Sequence, residues 1–206
     1  MAEPERLIVG MSGASGIVYG VRLLEVLRPL DIEVHLVMSR PAELTLAYET
    51  DTKVAALHAL ADVVHPDTDI GASISSGSFR TKGMIVAPCS IRSVSAIATG
   101  VTSNLVTRAA DVVLKEKRRL LLMVRETPLH GVHLRNMATL ADMGAVIFPP
   151  VPAFYERPES LEEMVDQTVG RALDFFDIDC GLVQRWGEDS GDKAPVRIFR
   201  RSAEKG

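Results

Sequence analysis

Five short apolar runs punctuate the chain: LIVGM at 7–11, IEVHLVM at 32–38, MIVA at 84–87, LLLMV at 120–124 and AVIF at 145–148. They are four to seven residues long and rich in Val, Ile and Leu. That is how strands buried on both faces of a parallel sheet read. Between them the apolar residues fall at helical spacing. Val18, Val21, Leu24 and Leu27 mark a helix over 15–30. Further helices are predicted over 42–48, 54–61, 90–99, 105–115, 130–143 (with Gly144 as its stop) and 161–176. Strands alternating with helices predict an α/β fold: a parallel sheet joined by right-handed crossovers. The 206 residues, 47% of them hydrophobic, suffice for one core of this kind.

In open sheets of this class ligands bind beyond the carboxyl ends of the strands. The residues there are Ser12 to Gly16, then Ser39 and Arg40, then Pro88 to Arg92, then Arg125 to Thr127, and finally the loop PPVPAFY. The first of these, GMSGASG, has glycines at 10, 13 and 16 and runs straight into a helical pattern. Backbone N–H groups at a helix start favour an anion, and glycines let one approach closely. A tight turn with Ser15 as an ordinary N-cap would account for the stretch equally well. A dinucleotide site needs an acid near the end of the second strand. Ser39 stands there, and no carboxylate follows until Glu43. A mononucleotide such as FMN fits this turn better than NAD.

APCSIRS at 87–93 is a second strand-to-helix turn, with Ser90 able to cap and Arg92 in the first helical turn. A cation there opposes the helix dipole and suggests an anion nearby; a plain surface arginine is the equal alternative. Cys89 reads as a small buried residue rather than a nucleophile. Arg125 and Glu126 stand side by side at the ligand end of a buried strand, a placement that favours function over a local ion pair. KEKRR at 115–119 reads as a solvated turn. His130 and His133 lack a third ligand in a metal motif. Glu49, in AYETD, is unremarkable taken alone.

A net charge of −4 gives no nucleic-acid surface. Two cysteines, no basic leader with an apolar segment, and no apolar run of about 18 residues point to a cytoplasmic protein without a membrane span.

Read in order, LIVGMSGASGIVYGVRLLEVL, HLVMSR, YETD, SISSGSF, PCSIRS, TRAADVVLKE, VRETPLH and PPVPAFY resemble the UbiX-type flavin prenyltransferases, from about residue 6 to residue 186. The resemblance implies a flavodoxin-like, Rossmann-like doubly wound parallel sheet with helices on both faces. It implies one FMN-binding domain over 1–186, followed by a polar tail over 187–206. It also implies a dodecamer with active sites between subunits. The implied reaction joins a dimethylallyl group from dimethylallyl monophosphate to N5 and C6 of reduced FMN, for use by a UbiD-type decarboxylase. Gly13, Ala14, Ser15, Ser39, Ser90, Ile91, Arg92, Ser93 and Arg125 match the family's FMN contacts. Lys115, Arg125, Glu126, Tyr155 and Arg171 match positions that hold the prenyl phosphate. Ser15, Glu49, Lys115, Glu126 and Trp186 match catalytic positions.

The residues are consistent with that chemistry. No D-D-x-x-D motif for a magnesium-held pyrophosphate occurs. Fixed cations at Lys115, Arg125 and Arg171, with the Tyr155 hydroxyl, would stabilise the leaving phosphate instead, so no metal is expected. Trp186 could face an allylic cation. Two rivals share the fold: an FMN-dependent decarboxylase, whose P-x-M-N-x-x-M-W motif is missing here, and an FMN-binding redox or regulatory protein, which would not need Lys115, Glu126 and Arg171.

Overall fold

The computed structural model describes residues 5–183. Six parallel strands lie in the order β3-β2-β1-β4-β5-β6: β1 Glu5–Met11, β2 Ile32–Met38, β3 Val63–Pro66, β4 Gly83–Cys89, β5 Arg119–Val124 and β6 Val146–Ile147. The order reverses between β1 and β4, so the sheet is doubly wound. Helix α1 covers Ile17–Leu27, α2 Arg40–Glu49, α3 Val54–His58, α4 Ile91–Ala98, α5 Leu105–Lys115, α6 Gly131–Asp142 and α7 Leu161–Asp174.

Alternation along β1 builds both layers. Leu7, Val9 and Met11 join α1, α2, α3 and α7 in one core, while Ile8 joins α4, α5 and α6 in the other. Strand β4 is buried over its whole length. Such a strand shows no alternation in sequence, because both its faces are covered.

Five strands were expected, and the sixth is β3. Its four residues, VVHP, alternate between half-buried and exposed at the sheet edge. Pro66 can stand there because an edge needs no further N–H donor. A short, half-polar strand leaves no apolar run to read. Helix α1 begins at Ile17, two residues later than expected, because Gly16 takes a left-handed φ of 93° at its N-cap. The AVIF run yields a strand of only two residues before the prolines.

Candidate functional site

The loops at the carboxyl ends of β2, β1, β4 and β5 are stitched together by hydrogen bonds. Ser39 N–H donates to Met11 O at 3.0 Å, and Arg125 N–H donates to Cys89 O at 3.1 Å. Between them sits Ser12, which is buried. Its hydroxyl donates to Pro88 O at 3.0 Å and accepts from Ser90 N–H at 2.7 Å. Each bond contributes on the order of 1 kcal/mol net, but leaving the buried partners bare would cost about 1–3 kcal/mol each. Sequence reasoning gave Ser12 no role. The signal was its place one residue after a buried strand.

These loops surround a cavity of about 750 Å³. Its walls include Gly13, Ala14, Ser15, Ser39, Ser90, Ile91, Arg92, Ser93 and Arg125, all nine of the expected flavin contacts, together with Glu126. Gly13 packs so closely on Pro41 that a Cβ there would lie 2.3 Å from the proline Cβ. Ser39 and Ser90 cap α2 and α4, accepting from Ala42 N–H and Ser93 N–H, each at 3.3 Å. Glu126 accepts from Thr127 N–H at 3.0 Å rather than turning to Arg125.

The start of α1 is capped from a distance. Ser15 is not its N-cap. Instead the Glu49 carboxylate, at the end of α2, accepts from Gly16 N–H at 2.8 Å and from Ile17 N–H at 3.0 Å. Burial pushes the Glu49 carboxyl up. Hydrogen bonds from the Ser15 side chain and the backbone of Ile17 and Gly16, with the charge of Arg125, outweigh it and hold the group below its ordinary range. The residue that looked like a solvated helix end is thus a fixed anion beside Ser15.

A second distant cap was not foreseen. Asp67, just after β3, accepts from Val106 N–H at 3.3 Å and Asn104 Nδ2 at 3.2 Å at the start of α5. With Ser103, Asn104 and Thr107 it forms another wall of the cavity. Burial pushes its carboxyl up, against those bonds. Asp67 was missed because β3 was missed. Two of the four helix starts here, α1 and α5, are therefore already met by carboxylates. Those of α2 and α4 carry hydroxyl caps; α2 also has Arg40 and Glu43 in its first turn, and α4 has Arg92 and no acid in its own.

Behind Ser15 and Arg125, which belong to both, lies a second cavity of about 800 Å³, between α1 and α7. Val18, Tyr19, Pro150, Pro152, Leu161 and Met164 give it apolar walls. Burial pushes the Tyr19 phenol up, against the pull of Arg125. Cys89 is fully buried and its thiol is pushed up to about 12. It is no nucleophile at neutral pH.

A profile of the Flavoprotein family matches residues 1–185. The flavin prenyltransferase UbiX of Thauera aromatica is 55% identical over 193 residues, 93% of this chain and 100% of the relative. The chain belongs to the UbiX flavin prenyltransferases. Among solved structures of this family, AnUbiX (PadA1) in complex with FMN and dimethylallyl pyrophosphate superposes with a TM-score of 0.89 at 52% identity. The match covers 91% of this chain and 100% of that one. A dodecameric FMN-dependent UbiX-like decarboxylase from Escherichia coli O157:H7 superposes at 0.86 with 49% identity, over 88% of this chain and 98% of that one.

A single UbiX-type chain does not gather every expected residue. Tyr155 and Arg171 line a separate hollow of about 210 Å³ with Phe148 and Pro149. Arg171 pairs there with Asp174 at 2.7 Å. Lys115 lies at the far end of α5, about 15 Å along the helix from the start that walls the cavity, and pairs with Glu116. Trp186 lies outside the described residues. Among those residues no helix is long and apolar enough to cross a membrane.

Proposed function

We propose that this chain transfers a dimethylallyl group from dimethylallyl monophosphate to N5 and C6 of reduced FMN, releasing phosphate, and that a UbiD-type decarboxylase receives the product. The observation that carries the proposal is the convergence of the 13–15 turn, Ser39, Ser90 to Ser93 and Arg125 on one cavity whose Ser15 is bonded to a fixed carboxylate, Glu49. The cavity fits FMN in kind. It offers eight hydroxyl or amide side chains, Ser12, Ser15, Ser39, Ser90, Ser93, Ser103, Asn104 and Thr107, for a ribityl phosphate.

Reduced FMN, when bound, supplies the nucleophilic ring positions. The chain's residues supply the rest. Anions at the starts of α1 and α5 repel phosphate from those ends and Glu43 stands in the first turn of α2, so the FMN phosphate is assigned to the α4 side, with Ser90 and Arg92. The ring is then directed towards Ser15, Glu49 and Arg125. Held as a carboxylate, Glu49 can accept a proton, through Ser15, from the carbon that closes the new ring. Lys115, Glu126, Tyr155 and Arg171 hold the donor phosphate, and Trp186 faces the allylic group. Lys115 meets the others only if a second copy brings it, which favours a homo-oligomer, a dodecamer as in the E. coli relative. Exposed Val151, Phe154 and Tyr155 in the proline-rich loop suit such an interface. Residues 1–186 would act as one flavin-binding unit with the tail over 187–206, in the cytoplasm.

The test is direct. Protein, reduced FMN and dimethylallyl monophosphate are mixed without oxygen, and the flavin is weighed by mass spectrometry. A gain of one C5 unit is expected. FMN that binds yet stays unmodified, with the monophosphate and with the pyrophosphate, refutes the proposal and favours a flavin-binding redox protein.

A further inference from the structure

Away from the cavity the structure holds a chain of ionisable groups, one buried and the rest half-buried, that the reaction does not use. His35 on β2 is 3% exposed. Its Nε2 lies 2.7 Å from Glu33 Oε1, and its Nδ1 lies 2.9 Å from Nε2 of His65 on β3. The two rings stack at 5.2 Å, and Phe79 meets His35 edge-on at 5.0 Å. Arg6 on β1 donates to Glu33 at 3.2 Å and sits 4.9 Å over the Phe79 ring.

The distances fix the protons. Glu33 is held below its ordinary range by its bonds from His35 and Arg6 despite burial, so it is a carboxylate and only accepts. His35 therefore carries its proton on Nε2. In the neutral pair its Nδ1 is then the acceptor, and His65 must donate from Nε2. One added proton is tolerated: on His65 Nδ1 the direction of the chain is kept, and on His35 Nδ1 it reverses with His65 in its other tautomer. A second proton puts two N–H groups face to face at 2.9 Å, and the pair must part. The surrounding charges are Arg6 on β1, Glu33 on β2, Asp62 bound to the Val34 backbone, Asp67 and Asp69 after β3, and Arg118, which donates to Phe79 O and Gly77 O. Helix α5 brings Val106 and Val113 to the core that holds Val37.

We propose that His35 and His65 form a proton-dependent brace that fixes the edge strand β3 and the segment 67–79 onto the sheet. That segment carries Asp67, which holds the start of α5 at the cavity, and Gly77, which lies against Lys115 and Glu116. The brace is whole with one added proton or none and fails with two. His65 is depressed by burial and by the neighbouring His35 charge, so the second proton enters below the ordinary histidine range of about 6.5. The stability it contributes is whole above the ordinary histidine value of about 6.5 and is lost as pH falls from there through the depressed value.

Amide hydrogen exchange of the full-length protein, without ligand, tests this independently of prenyl transfer. After correction for intrinsic rates, exchange in 63–79 should rise by up to about tenfold per pH unit as pH falls below about 6.5, levelling off beneath the depressed value. Exchange in β1 and β4 should stay flat. Nitrogen NMR of the imidazoles at about pH 8 should show both rings as the Nε2–H tautomer. In His65→Gln the amide can donate to His35 Nδ1 without titrating, and the pH step should vanish. Exchange in 63–79 that ignores pH, or an Nδ1–H tautomer for His35 at about pH 8, overturns the proposal. So does a step that survives His65→Gln unchanged. Should that variant fail to fold, the tautomers and the wild-type exchange profile decide.

Discussion

Gly13 is where the turn, the second helix and the ligand cavity are pressed closest together, and Gly13→Ala puts a number on it. The new Cβ would lie 2.3 Å from Pro41 Cβ, 3.1 Å from its carbonyl carbon and 3.2 Å from its Cα. Carbon atoms rest about 3.5–4.0 Å apart, so a gap of about 1.2–1.7 Å must open. Pro41 cannot swing aside, because its ring is part of the backbone. Helix α2 is tied down in turn, by Ser39 N–H on Met11 O and by the Ser39 cap. Either the 12–15 turn shifts or α2 does, and both carry cavity residues. Overpacking of this size costs about 1–3 kcal/mol. If the turn bears it, FMN affinity falls about 5- to 150-fold. Titration by quenching of FMN fluorescence reads the affinity, and thermal unfolding reads the stability. Gly100→Ala is the control. Its φ is +70° with nothing within 4 Å of a new Cβ, so it should lower stability by about 1–2 kcal/mol and leave affinity alone. A Gly13→Ala protein that melts normally and binds FMN within about twofold of wild type would refute the idea that this contact sets the flavin turn.

Glu49→Gln should retain FMN and slow prenyl transfer by about 100-fold or more, measured as C5-flavin formed per minute. Since the Glu49 carboxyl is depressed, its contribution to stability is present above the ordinary carboxyl value of about 4.3 and lost only as pH falls through the lower folded value, and Glu49→Gln should remove that acid limb from a stability–pH curve. Ser12→Ala bares Ser90 N–H and leaves Pro88 O only the Ser12 backbone N–H, and should destabilise by about 1–3 kcal/mol in urea unfolding. Cys89 should resist iodoacetamide at about pH 8 in the folded protein and react once it is unfolded, as mass spectrometry would show. If Lys115 and Arg125 of different copies share a site, Lys115→Ala and Arg125→Ala proteins, each inactive, should regain activity after mixing, dissociation and reassembly; no recovery would place both residues in one copy's site.

The parts of this molecule that could be read from the chain are those where one residue's chemistry and its neighbours in sequence carry the information. Buried strands such as MIVA must be apolar throughout, so β4 announces itself, and the loops that follow buried strands must lie at the ligand end. That rule alone gathered Gly13, Ser39, Ser90 and Arg125. What escaped depends on pairs distant in sequence. Nothing near Glu49 says that it will cap a helix that starts 32 residues earlier. Ser15 then seemed the natural cap, although Gly16, by turning left-handed, leaves that place to a carboxylate. Asp67 was hidden behind a four-residue edge strand whose proline and histidine mask its type. Family motifs supplied Lys115, Tyr155 and Arg171, of which a single chain brings together only Tyr155 and Arg171, away from the cavity. The same split explains why local reasoning set KEKRR aside as a solvated turn. In one chain Lys115 does stand exposed beside Glu116, so nothing local to the stretch distinguishes it from an ordinary solvated lysine.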